Sequence, residues 1–269
     1  MPLPYKHLDH LKYKGGAVME QITSRKNPLM TQIRKLASSR SYRRGEGLFL
    51  GDGTKLLEEA LKWNAPVTTV VVTEDVALPA LPEGVRVVEV PRDVMASISP
   101  MESPQGALFL CRMPELAPPE KLEGSRWLVL DGLQDPGNVG TIWRTADALG
   151  ADGLVLVNRC ADPWNPKTVR ATMGACFRLP VFELEAEALP ALLAASGLPL
   201  YATALREDTV DIKTADLSRS AVVIGSEGRG ISDALLAMSE KTLKIPMRAR
   251  CESLNAASAA TVVLWEMGR

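Results

Sequence analysis

Apolar positions along this chain follow two spacings, and the two alternate. In residues 54–63, Leu56, Leu57, Ala60 and Leu61 fall on one face at helical spacing, which predicts a helix. Residues 31–36 read as an earlier helix, and the short apolar run Gly47-Leu48-Phe49-Leu50 between the two predicts a strand. The β-branched run 67–72, closed by Thr73-Glu74-Asp75, predicts a second strand, and 85–90 and 107–111 predict two more. This alternation over 19–111 defines a small α/β domain. Residues 112–126 hold Pro114, Pro118 and Pro119 among charges. Proline stiffens a segment and blocks ladder pairing, so this stretch is expected to be a linker.

Beyond the linker the pattern sharpens. Strands are predicted at 127–130, 153–157, 200–203, 221–224 and 243–246, and helices at 138–149 and 254–267. Mostly apolar strands between helices argue for a mostly parallel sheet covered on both faces, so 127–269 is expected to be a second α/β domain. Residues 1–18 follow neither spacing and are expected to be a disordered leader. They read as an extension upstream of a native start at Met19 or as a genuine tail.

Composition narrows the chemistry. Across 269 residues, 46% are hydrophobic and 23% charged, the profile of a globular chain. No apolar run approaches the roughly 18 residues that cross a bilayer, and the N-terminus has no apolar signal core, so a cytoplasmic protein without a membrane partner is expected. The four cysteines are widely spaced with no CxxC pair, which predicts reduced thiols and no metal site. The two histidines, His7 and His10, both lie in the leader. Chemistry in the body of the chain must therefore proceed without imidazole, which excludes histidine-based serine hydrolases and histidine-ligated metal enzymes. Net charge is −1, yet 21–44 carries seven cations and no acid. Arg25, Lys26, Arg40, Arg43 and Arg44 are thus candidates for binding nucleic-acid phosphates, with a solvated helix face as the plainer reading.

Three segments could carry chemistry. In Asp131-Gly132-Leu133-Gln134-Asp135-Pro136-Gly137-Asn138, a strand ends in a Pro-Gly turn, and Asn138 is expected to cap a helix that carries Arg144. Gly225-Ser226-Glu227-Gly228-Arg229-Gly230 follows a strand but matches neither a P-loop nor a dinucleotide fingerprint. Ile245-Pro246-Met247 precedes Ser253, read as the cap of an alanine-rich terminal helix. Each alone is consistent with a capped helix or a turn.

Their order and spacing together resemble the SpoU (TrmH-like) family of the SPOUT superfamily, over residues 127–269. DPGNVGTIWRTADALGADGLVL is similar to that family's first motif, VIGSEGRGIS to its second and IPMRARCESLNAASAATVVLWE to its third. The N-terminal half resembles, less closely, the ribosomal-protein-like domain that often precedes it. The resemblance implies an α/β fold with a C-terminal deep trefoil knot, a homodimer and S-adenosylmethionine as methyl donor without a metal. It implies methylation of ribose 2′-hydroxyls in RNA, ribosomal RNA before transfer RNA. Carried over by position, the catalytic set is Asn138, Arg144, Glu227, Ser253 and Asn255. Thr203, Gly225, Ile245 and Leu254 are the expected donor contacts. Arg144 is either the base that takes the hydroxyl proton or a phosphate clamp. A base methyltransferase and a non-catalytic RNA-binding protein are the alternatives.

Overall fold

The computed structural model describes residues 12–14, 17–114, 117–204, 206, 209–248, 250 and 253–269. Two units emerge, one comprising Met1–Pro114 with Trp164–Pro166, the other Glu115–Pro163 with Lys167–Arg269.

The first unit runs β1 (Lys12–Lys14), β2 (Ala17–Gln21), α1 (Pro28–Ser38), α2 (Arg40–Glu46), β3 (Leu48–Asp52), α3 (Thr54–Lys62), β4 (Val67–Val72), β5 (Arg86–Glu89), α4 (Arg92–Ile98) and β6 (Ala107–Arg112). Its sheet has six strands in the order β1-β2-β5-β4-β6-β3. The expected leader needs correction, because Lys12–Lys14 pairs with 17–19 as an antiparallel hairpin that extends this sheet. The reason is backbone pairing, which needs no apolar periodicity. The remainder of 1–18, His7 and His10 included, lies outside the described residues.

Asn27 caps α1, its side chain accepting from the Leu29 N–H, with Pro28 as the first helical residue. Ser39 ends α1 and caps α2, a helix that periodicity does not mark. α1 buries Met30, Ile33 and Leu36 against Val71, Val88 and α4. The tight junction turns Arg43 inward, so the assignment of Arg43 to RNA binding fails. Only 2% of it is exposed, and its Nη1 donates to the Leu36 carbonyl at 2.5 Å. Arg25, Lys26, Arg40 and Arg44 are exposed, and Arg25 pairs with Asp93 at 2.7 Å.

The second unit runs β7 (Arg126–Asp131), α5 (Pro136–Ala148), β8 (Gly153–Val157), α6 (Pro166–Ala171), β9 (Val181–Glu183), α7 (Leu189–Ser196), β10 (Leu200–Thr203), β11 (Val210–Asp211), β12 (Ser220–Gly225), α8 (Asp233–Met238), β13 (Lys241–Lys244) and α9 (Ala256–Met267). All seven strands are parallel, in the order β11-β13-β10-β12-β7-β8-β9. Every strand end that shapes a site therefore lies on one side of the sheet. The last part of the expected linker is packed into this unit: Leu122 is buried in its core and its N–H donates to Ser196 Oγ at 2.9 Å. α5 passes so close to α6 that a Cβ on Gly140 would lie 2.5 Å from the Thr168 carbonyl oxygen, so only glycine fits. No described helix is long and apolar enough to cross a membrane.

Both expected helix caps shift. Asp135, not Asn138, caps α5 by accepting from the Asn138 N–H at 2.8 Å, since Pro136 takes the first helical position. Asn255, not Ser253, caps α9, accepting from the N–H groups of Ala257 and Ser258. In each case the asparagine of the motif is released from, or fixed by, the cap, and both outcomes matter below.

Candidate active site

Parallel strands put their carboxyl ends on one edge, where open α/β sheets bind ligands. Here β10 ends at Thr203, β12 at Gly225 and β13 at Lys244, and a cleft opens above them. Thr203, Gly225, Ile245 and Leu254 all line it, together with Ile224 and Leu243. Its walls are largely aliphatic, and Leu254 stands 38% exposed. Thr203 Oγ1 donates to the Val223 carbonyl at 2.9 Å and ties β10 to β12.

A tight loop forms one wall of the cleft. Ser226 and Gly230 exchange both backbone hydrogen bonds, at 3.0 and 2.8 Å. A Cβ on Gly225 would come within 2.3 Å of the Gly230 backbone, and Gly230 has φ +66°, so glycine is required at both ends. The loop thereby lifts Glu227, Gly228 and Arg229 at its tip.

Three site residues from three separate motifs meet there. Asn255 Oδ1 is taken by the two N–H groups at the start of α9, so its Nδ2 must face outward, and it donates to Asn138 Oδ1 at 3.2 Å. That fixes the Asn138 amide in turn, whose Nδ2 donates to Glu227 Oε1. A helix cap thus sets the direction of a hydrogen-bonded chain that ends on a carboxylate acceptor. Ser253 lines the cleft beside this chain. Arg144 does not join it. It lies exposed further along α5, without a hydrogen bond or ion pair among the described residues.

The Asp135 cap has its own electrostatics. The Asn138 backbone N–H, aided by the Lys167 ammonium at 3.4 Å, holds its carboxyl below the usual carboxylate range. Because the folded value is depressed, this stabilisation is present above the unfolded carboxyl's pKa of about 3.9 and is lost as pH falls through the folded value. Asp135→Ala should cost about 1 kcal/mol at neutral pH, as helix-cap removals do. Urea midpoints of mutant and wild type should differ at pH 7 and draw together as the pH falls below the ordinary carboxylate range.

Sequence reasoning missed the groups that hold this edge together. Asp131, 4% exposed, accepts from Asn158 Nδ2 and from the Ser232 N–H, both at 2.7 Å. Asn158 and Arg159 both have positive φ, 54° and 56°. Gln134 Nε2 braces them by donating to the carbonyls of Gly132 and Arg159, at 2.9 and 2.8 Å. An acid closing an otherwise apolar parallel strand, and asparagine directly after one, were the available signals. Burial pushes the Cys160 and Cys176 thiols up to about 11 and about 12, which makes both inert. Cys251 lies outside the described residues.

Residues 125–265 match the SpoU rRNA Methylase family, and 27–108 match the MRM3-like substrate binding domain. The chain is 35% identical over 251 residues to the 23S rRNA (guanosine(2553)-2′-O)-methyltransferase RlmP of Bacillus subtilis, covering 93% of this chain and 99% of that protein. It is similar to the crystal structure of an AdoMet-bound rRNA methyltransferase from Sinorhizobium meliloti, with TM-score 0.81, 31% identity and coverage of 93% and 97%. It is also similar to the SpoU methyltransferase AviRb of Streptomyces viridochromogenes in complex with AdoMet, with TM-score 0.77, 28% identity and coverage of 90% and 97%.

Proposed function

This chain belongs to the SpoU rRNA methylase family, and we propose that it methylates a ribose 2′-hydroxyl of ribosomal RNA with S-adenosylmethionine at the edge formed by β10, β12 and β13. The observation that carries the reading is the Asn255–Asn138–Glu227 chain beside an aliphatic cleft. The donor's chemistry suits that cleft. Its purine needs apolar walls, which Ile224, Ile245 and Leu254 supply, and amide partners, which the strand-end backbone at Thr203 and Gly225 supplies. When bound, S-adenosylmethionine supplies a methyl group already activated on a sulfonium.

The protein's task is alignment and the management of one proton. Asn138 holds Glu227 Oε1, and Glu227 Oε2 has no hydrogen-bond partner among the described residues. Oε2 would accept the hydrogen bond of the ribose hydroxyl and take its proton, while the methyl group would leave the donor's sulfur, its S–CH₃ bond breaking to leave a neutral thioether, for the ribose oxygen. Arg144 cannot serve as that base without help, because a guanidinium holds its proton to a pKa above about 12. Its open fork suits a phosphate instead, and we assign it the clamp. Arg144→Ala should leave donor affinity intact and reduce turnover more than tenfold, a loss above about 1.4 kcal/mol in transition-state binding. Calorimetry with the donor and initial rates on RNA from the same preparation check this.

The finer architecture follows the same reading. α9, which follows β13 in the chain, packs back on α5 and β12, and we read this return as the trefoil knot of the family. α9 buries Ala256, Ala260, Val263 and Leu264 but leaves Trp265 62% exposed. An exposed tryptophan on this alanine-rich helix favours a homodimer through its face. Inert buried thiols fit a cytoplasmic location. The activity is tested by offering labelled donor with ribosomal and transfer RNA from cells lacking the protein. Label should enter ribosomal RNA. Donor binding without any transfer would instead support a non-catalytic RNA-binding protein.

A further inference from the structure

A second cleft flanks the 226–230 loop on the side of β7 and β8. Its volume is 740 Å³, against 210 Å³ for the aliphatic cleft, which gives it room for a nucleobase with its sugar. Polar groups line it, among them Asp131, Asn158, Arg159, Glu227, Arg229 and Ser232. Both carboxylates are already engaged: Asp131 by Asn158 and the Ser232 N–H, Glu227 by Asn138. Neither Arg159 nor Arg229 has a side-chain hydrogen bond or ion pair among the described residues, and both are exposed. Two guanidinium groups therefore stand in this cleft without an ion pair among the described residues, beside two carboxylates held only by neutral donors.

Arg159 is also held at a cost. Non-glycine residues at φ 56° are uncommon and persist where the surroundings over-determine them. Gln134 supplies that constraint at the Arg159 carbonyl, and Asp131 supplies it at the preceding Asn158 side chain. Arg229 is set by the glycine-bounded loop, with its N–H donating to Ser226 Oγ at 3.3 Å. Two arginines thus line one cavity, each on backbone held by hydrogen bonds, a composition suited to the phosphates of a single strand.

We propose that this second cleft receives the target nucleotide, with Arg159 and Arg229 binding its flanking phosphates. The ribose then comes to Glu227, the one charged side chain common to both clefts. The assignment rests on the ribose-methylation reading above and adds the acceptor side of the reaction. The test uses the full chain carrying Arg159→Asn and Arg229→Gln, since asparagine tolerates left-handed backbone. RNA affinity across a salt series, KM for RNA and donor affinity are measured together. KM for RNA should rise at least tenfold, and the log–log salt slope should fall by roughly 1.4 to 1.8 for two lost contacts, with donor affinity unchanged. Arg159→Lys with Arg229→Lys should recover the slope. Should the double variant not fold, Arg229→Gln alone, at the loop tip, should lower the slope by roughly 0.7 to 0.9. If the wild type transfers methyl groups and these variants match its KM and slope, this assignment is overturned alone. If the wild type transfers none, the underlying reading falls, and this one with it.

Discussion

Glu227→Gln should lower turnover by about a hundredfold, the lower end of what a positioned acid–base group contributes. Donor affinity should stay within twofold, because the cleft's apolar walls are untouched. The amide keeps the size of the carboxylate but cannot take a proton. Asn138→Ala should cost nearly as much, since it removes the group that orients Glu227 Oε1. The double variant should then be far from additive, little worse than either single one, as expected for residues acting as a unit. Single-turnover rates of the four proteins complete the cycle. Additive losses would mean that the hydrogen bond between Asn138 and Glu227 has no part in the chemistry.

Arg43→Ala should destabilise the first unit by about 3 kcal/mol, combining a large-to-small cavity with the loss of a charge-assisted bond to a buried carbonyl. The side chain is 2% exposed and bridges α2 to the Leu36 carbonyl at the end of α1. Arg44→Ala, at the next residue and on the exposed face, should change stability by less than about 0.5 kcal/mol. Chemical denaturation of the full chain distinguishes the two. Equal effects would return Arg43 to the surface and to the RNA-binding set.

The alternation of spacings made the architecture legible. The strands at 67–72 and 153–157 match β4 and β8 residue for residue, because β4 is a β-branched run and β8 an uninterrupted apolar run inside a parallel sheet. Elements without such contrast were lost. α2, Arg-Ser-Tyr-Arg-Arg-Gly-Glu, offers no apolar stripe, and its buried face is an arginine. α7, Leu-Pro-Ala-Leu-Leu-Ala-Ala-Ser, is apolar all round and so has no stripe either. The caps were misassigned, Asn138 for Asp135 and Ser253 for Asn255, although Pro136 already marks the first helical residue of α5. At the site, motif order identified Asn138, Glu227 and Asn255, but nothing local told which amide donates to which. That direction comes from α9's backbone, a tertiary fact. The second cleft was invisible for the same reason: Asp131, Asn158 and Ser232 are far apart in the chain, and only sheet order brings them together.

The central claim is that the methyl group goes to a ribose oxygen. Alkaline hydrolysis of RNA methylated with labelled donor tests it most directly, because strand cleavage by base requires a free 2′-hydroxyl. The account predicts label in an alkali-stable dinucleotide, and loss of that product with Glu227→Gln. Label recovered in a mononucleotide would mean a methylated base and would contradict it.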